Sequence, residues 1–410
     1  MSDQDTRKFD VILWGGTSFV GKLTAEFLYQ RHGVDGDLKW ALGGRNEEKL
    51  TAFRETLGLD ADQIPMVIGD AQDEDFLARL VSYTKVVLTT VGPYSLYGRK
   101  LVAACAEAGT DYCDLTGEIP FIQDMIDEHT EMARQTGARI LHCCGVDSIP
   151  SDAGVWFLNK YAMETYGEPL ASVTTEARAF KGAFSGGTVA SLGEVWNQVS
   201  KSKETRKAVM NPYSLCPDGL REGVKQPNLN AVKKSPVSKR WLAPFIMASI
   251  NSKVVHATNA MRGYPYGEAF TYGEHFGVKN IFQAQAIGAG MAAGFVGYAN
   301  PLTRPLVKGA LPSPGEGPSR KQQEEGEFTF MLFVETASGR KIVGQVTGDR
   351  DPGYGSTSKM IGEVAACLAQ DVPSRNEVPG GVMTVGASIV DYLIPRLVEH
   401  SGLTFEILEG

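Results

Sequence analysis

The stretch "VILWGGTSFVGKLTAEFLYQRHG", Val11 to Gly33, decides the fold. An apolar run meets a turn of small residues and then a helical period, the order in which a nucleotide-binding strand, loop and helix begin. Gly15 and Gly16 suit the tight turn, and Gly21 suits the close approach of helix to strand. The free N–H groups and positive dipole end of such a helix bind a pyrophosphate. Ser18 stands at the point of nearest phosphate approach, where its hydroxyl is placed to donate to a phosphate oxygen.

Working outward, short apolar runs bounded by Gly, Asp or turns recur as "LKWALGG", "MVIGD", "KVVLTTVG" and "ARILHCC". Helical periods separate them, at Gly21 to Arg31, Asn46 to Leu57, Asp73 to Ser82, Arg99 to Ala108 and Phe121 to Gln135. Repeated strand–helix–strand units imply an α/β, doubly wound parallel sheet with helices on both faces over residues 1–145. Beyond Gly145 the period changes. "ASVTTEARA" (171–179) and "EFTFMLFVETASGRKIVGQV" (327–346) alternate apolar and polar residues, and "ASGR" reads as a hairpin turn. Residues 146–375 are therefore expected to form an α+β substrate or dimerisation domain with a mixed or antiparallel sheet. The Pro-, Gly- and charge-rich segment of about 303–327 reads as a mobile loop, and 376–410 as a helix and strand returning to the first domain.

A chain of 410 residues with 43% apolar and 21% charged residues is of ordinary globular composition and long enough for two domains. Its net charge of -8 gives no basic footprint and excludes a nucleic-acid partner. Six cysteines without CxxC spacing read as reduced thiols, no HExxH or Cys/His cluster suggests a metal, and the polar start "MSDQDTRKFD" does not resemble a signal; a cytoplasmic protein is expected. "NIFQAQAIGAGMAAGFVGYANP", Asn280 to Pro301, is uncharged, but its glutamines and glycines make it a poor spanning helix. It reads either as a buried helix or as a surface touching lipid, peripheral at the plasma membrane.

The second strand selects the cofactor. Where an acid would accept from the ribose of NAD, "WALGGRNEEKL" offers Arg45, whose guanidinium suits the extra phosphate of NADP; the alternative is an arginine that only solvates the helix start. Asp70, after the third strand, is placed for the adenine amino group or for a helix cap. In "TTVGPYSLYG", Gly92 and Pro93 bring backbone alongside the cofactor, and Tyr94 and Tyr97 face the expected nicotinamide region.

Several separated motifs agree on one family. "GGTSFVG", "LGGRNEEKL", "TTVGPYSLYG", "AGTDYCDLTGE", "CCGVDSIPSDAG" and "VGASIVDYLIPRLVEHSGLTFE" together resemble the saccharopine dehydrogenase-like oxidoreductases, most closely their actinobacterial branch of trans-acting enoyl reductases. The resemblance implies an N-terminal Rossmann domain, a second α+β domain, and a reductase serving a polyketide synthase that lacks its own enoyl reductase in making envelope lipids. Carried over by position, it places the cofactor loop on Gly15, Thr17, Ser18, Phe19 and Gly21, the phosphate selector on Arg45, and the nicotinamide-flanking loop on Gly92 and Pro93. Ser18 departs from the glycine usual in the family.

Enoyl reduction needs a donor for the developing enolate oxygen and a proton for the α-carbon. Tyr94 and Tyr97 are candidates, or else apolar walls of the pocket. Asp147 and Ser148, in "GVDSIPSD", fall where two domains meet, a common place for a cleft, while Asp152 and Glu118 read as helix caps. Lys181 reads as a surface lysine or a substrate neighbour, and "SGGTVASLGEVW" as an unspecific anion-binding turn. The expected ligands are NADPH and an acyl substrate, on a carrier protein of the synthase, with a homodimer as an open arrangement. The alternatives are a reductase of amino-acid-derived imines and a membrane-associated NADP-binding protein without turnover.

Overall fold

The structure, a computed structural model, describes residues 7–181, 186–300, 302–309 and 317–410. The strands are β1 (Phe9–Trp14), β2 (Trp40–Gly44), β3 (Met66–Ile68), β4 (Thr84–Thr89), β5 (Asp111–Asp114), β6 (Arg139–Leu141) and β7 (Leu170–Lys181). They continue as β8 (Lys233–Lys234), β9 (Trp241–Pro244), β10 (Thr271–Val278), β11 (Glu327–Thr336), β12 (Lys341–Gly348), β13 (Gly381–Met383) and β14 (Leu403–Glu409). Among the described residues they make two sheets, in the orders β13-β6-β5-β4-β1-β2-β3 and β14-β12-β11-β7-β10-β9-β8. The first is parallel throughout, with Val11 opposite Trp40 on one side and Val86 on the other. The second is mixed: β7 and β10 run parallel, and the remaining pairs are antiparallel.

The fold class is the expected one. β5 is absent from the apolar runs because "DYCD" carries an acid at each end. Both acids are buried and satisfied, Asp111 by Arg139 and Asp114 by Tyr112 and His142. Burying such groups is tolerable only when they are paired. The C-terminal helix divides at Ile389 into Val385–Ser388 and Val390–His400. The stretch 303–327 is not one continuous loop: it holds the helices Arg304–Gly309 and Arg320–Glu324, the second started by a capping box of Ser319 and Gln322.

The two sheets share one core. Val11 and Leu13 of β1 point to the face covered by the helices Phe19–His32 and Thr357–Gln370, while Ile12 and Trp14 point to the opposite face, under Glu74–Tyr83 and its neighbours. Thr357–Gln370 follows β12 of the second sheet, yet Met360, Ile361, Val364 and Ala365 bury it on the first. The sequence division at 145 and 375 does not foresee this helix. The C-terminal stretch also departs from expectation: β13 extends the first sheet, but β14 pairs with β12 in the second.

An ion cluster fixes that helix. Glu363, fully buried, meets Arg396 at 2.6 Å and Arg31 at 3.9 Å, and Arg396 also reaches Asp371 at 2.7 Å. Removing one partner of a buried pair strands the other charge. Arg396→Met is expected to lower unfolding stability by ~3–5 kcal/mol in urea titrations, and a loss under ~1 kcal/mol would contradict this role.

Candidate functional site

The turns that follow β1, β2, β3, β4 and β6 lie at one edge of the first sheet, because parallel strands all end there. Ligands bind at this edge in doubly wound sheets. Along it stand the β1 turn, Arg45, Asp70, the loop Gly92–Pro93, and Asp147 with Ser148.

The turn after β1 is closed too tightly for side chains. Gly15 has φ +94°, and a Cβ there would lie 2.6 Å from Val91 Cγ2; at Gly21 it would lie 2.2 Å from the Gly15 carbonyl oxygen. Ser18 caps the first helix, accepting from Gly21 N–H at 2.9 Å. Its hydroxyl also lies 2.8 Å from Thr90 Oγ1, and Thr90 donates to the Gly15 carbonyl at 3.1 Å. Either hydroxyl can donate in the Ser18–Thr90 pair, and the Gly15 carbonyl also accepts from Ser18 N–H at 2.9 Å. In this structure the Ser18 hydroxyl caps the helix and ties the turn to β4.

Lys22 N–H makes the first intrahelical bond, to the Ser18 carbonyl, so the N–H groups of Phe19 and Val20 precede the helix's own bonding. The Phe19 ring packs edge-on against Tyr354 at 5.1 Å, and Thr17 is half-buried in the turn. Arg45 is exposed beyond β2 and has no ion pair among the described residues. The helix after it is capped by Asn46, so Arg45 is not needed there. Asp70 is exposed and accepts from Gln72 N–H in a turn leading to Asp73, which caps the helix Glu74–Tyr83.

At the β4 loop the two tyrosines part. Tyr94 is 6% exposed, and its hydroxyl is 3.4 Å from both the Thr89 carbonyl, to which it donates, and Leu115 N–H, from which it accepts. Burial, with Asp114, Glu118 and Asp147 nearby, holds its phenol well above the ordinary value. Tyr94 is therefore a core residue, not a free donor. Tyr97 is 40% exposed, and its hydroxyl has no partner among the described residues.

The two expected caps serve other helices than their own. Glu118, fully buried, accepts from the N–H groups of Tyr94 at 2.8 Å and Ser95 at 3.0 Å, and from the Ser191 hydroxyl at 2.8 Å. It thereby joins the β4 loop to the helix Gly186–Lys201. Asp152 accepts from Gly386 N–H at 2.8 Å, and burial raises its carboxyl to about 6. Neither role was readable, since the partners lie far away in sequence. Thr90 and Ser191 were missed for the same reason; the position of Thr90 one residue past β4, beside the glycine turn, was the available signal.

Asp147 is half-buried and forms no hydrogen bond among the described residues, and desolvation raises its carboxyl to about 6. Ser148 beside it is buried and donates to Asn251 Oδ1 at 3.1 Å, so it is a structural link. Asn251 in turn donates to Glu274, which also receives Tyr272 and Ser151 hydroxyls. Lys181 pairs with Glu327 on the exposed sheet surface. Most of "SGGTVASLGEVW" has side chains outside the described residues.

A family profile described as the saccharopine dehydrogenase NADP binding domain matches residues 11–141. The "Putative trans-acting enoyl reductase Rv2449c" of Mycobacterium tuberculosis is 39% identical over 404 residues, covering 95% of this chain and 96% of the relative. A "Trans-acting enoyl reductase" of Mycobacterium bovis is 36% identical over 407 residues, with the same coverage of 95% and 96%. Among solved structures, saccharopine dehydrogenase (L-Glu forming) from Saccharomyces cerevisiae aligns over 98% of this chain and 100% of its own, with TM-score 0.56 and 12% identity, a likeness of fold. The glycine cradle, the N–H groups of Phe19 and Val20 and the unpaired Arg45 fit the NADP(H) that this domain binds.

Ser18→Ala should remove a helix cap and lower stability by ~1 kcal/mol in thermal or urea unfolding, with NADPH affinity changed less than about threefold. Unchanged stability with much weaker NADPH binding would instead place the hydroxyl on phosphate.

Proposed function

We propose, for a chain that belongs to the family of the mycobacterial trans-acting enoyl reductases, that it reduces an α,β-unsaturated acyl thioester with NADPH, acting in trans on a chain held by the carrier protein of a polyketide synthase. The chain is an NADP-dependent oxidoreductase with a Rossmann domain. End-to-end likeness to relatives bearing that name carries the choice of reaction. A product used in envelope lipid, a cytoplasmic location and a homodimer belong to the same reading. No helix among the described residues is long and apolar enough to cross a membrane.

Bound NADPH supplies the hydride for the β-carbon. The residues proposed to hold it are Gly15, Thr17, Phe19 and Gly21 around the pyrophosphate, with Gly92 and Pro93 alongside the nicotinamide. Arg45, which has no ion pair among the described residues, would hold the 2′-phosphate through its guanidinium donors. Asp70, already in a turn bond, keeps a second oxygen for the adenine amino group.

Hydride arrival leaves negative charge on the thioester oxygen, and the α-carbon then takes a proton. Asp147 is the acid assigned to that proton. Its carboxyl, unbonded and raised to about 6, retains a protonated fraction near neutral pH that an ordinary aspartate lacks. Tyr97 has the unengaged hydroxyl of the two tyrosines and is assigned to the enolate oxygen.

Loss of NADPH absorbance with an enoyl thioester tests the reaction, and tight NADPH binding without turnover on any such substrate would refute it. Arg45→Asp is expected to weaken NADPH by ~10- to 100-fold while sparing NADH; an unchanged preference ratio removes Arg45 from the phosphate. Asp147→Asn is expected to lower kcat by ~10²- to 10⁴-fold with NADPH affinity retained. A general acid must be protonated, so kcat/KM of the native protein should fall as pH rises through about 6. Identical profiles for native protein and variant would exclude Asp147 as the donor.

A further inference from the structure

The helix Ile281–Ala299 carries no charged residue, and Ala284 is its one buried position. Phe282 is 78%, Phe295 53% and Val296 68% exposed, and Leu302 and Leu306 beyond it are 85% and 75% exposed. The reading of this segment as a buried helix is thus corrected. Large exposed apolar side chains on an uncharged helix mark a contact surface. The helix lies along β9, and Trp196 approaches Phe295 from the helix Gly186–Lys201 at 6.5 Å between rings.

The stretch of sequence that contains the helix differs in charge from the rest of the chain. Residues 201–310 hold 15 Lys and Arg against 5 Asp and Glu, whereas the other 300 residues hold 25 against 43. Lys279 precedes the cap Asn280 of the helix, and Lys233 and Lys234 stand on β8, next to β9; all three are exposed and form no ion pair among the described residues. Arg304 follows the helix, folded over the Tyr298 ring and donating to the carbonyls of Tyr298 and Ala299.

We propose that this face docks on an anionic lipid bilayer, with the helix Ile281–Ala299 lying in the interfacial plane and the lysines meeting acidic headgroups. An apolar helix flanked by three exposed lysines without ion pairs among the described residues is complementary to such a membrane. A second copy would bring the same lysines toward their like, which disfavours self-pairing. The helix is not apolar enough to span, so it rests on the bilayer.

Co-sedimentation of the full-length protein with extruded vesicles tests this, using phosphatidylcholine alone and phosphatidylcholine with phosphatidylglycerol. Binding is expected to the anionic vesicles and to weaken as salt rises. Phe282→Ser/Phe295→Ser/Val296→Ser should reduce it more than ~tenfold, and Lys233→Glu/Lys234→Glu by about fivefold or more per lysine. NADPH binding reports that the variants remain folded. The proposal fails if anionic vesicles bring down no protein or if both variants bind as the native chain does. It also fails if the lipid-free protein is a dimer that the triple serine variant splits, since a second copy would then cover the face.

Discussion

Between Gly15, Gly21 and Thr90 there is no room for another carbon atom: a Cβ on Gly21 would stand 2.2 Å from one backbone oxygen and 2.9 Å from the Thr90 hydroxyl. Because the space is absent, the first helix begins directly at the sheet edge with its leading N–H groups toward the ligand side. Thr90 continues into Val91, Gly92 and Pro93, so the same contact that shapes the phosphate turn also sets the start of the loop assigned to the nicotinamide. Glu118 then carries the constraint across the molecule, holding that loop through Tyr94 and Ser95 and the helix Gly186–Lys201 through Ser191. The glycine turn, the β4 loop and the covering helix are thereby joined by short bonds.

The shared core has a related consequence. Laying Thr357–Gln370 on the first sheet makes the two halves one packed body, stiffened by Glu363 and its arginines and by the buried group of Ser148, Asn251, Glu274, Ser151 and Tyr272. Burial holds the Glu274 carboxyl up at about 7 despite those donors. Asp147 adjoins this group through Ser148, yet its own carboxyl is unbonded. A fixed backbone with a free acid suits proton delivery, since the group is positioned without being neutralised by a partner.

Much of the first sheet was legible because its strands are apolar runs separated by helical periods, and the glycine turn and Arg45 sit at fixed offsets from those runs. Hidden features involve residues whose meaning lies in a distant partner. β5 was obscured by two acids that Arg139 on the next strand and His142 just beyond it satisfy, and Glu118 and Asp152 looked like caps for the helices they precede or open. Tyr94 and Tyr97, three residues apart in one motif, could not be separated by sequence, although one is in the core and the other at the surface. Composition also hid a local fact: a net charge of -8 gave no sign of the basic stretch of sequence that holds an uncharged helix.

The chemistry assigned to this edge divides labour between a cofactor that gives hydride and an acid that gives a proton. The most direct measurement is product isotope content after reducing an enoyl thioester with NADPH deuterated at the transferable position, in ordinary water. The account predicts one deuterium at the β-carbon of the saturated product and solvent hydrogen at the α-carbon. Deuterium at the α-carbon, or consumption of NADPH without labelled acyl product, would contradict it.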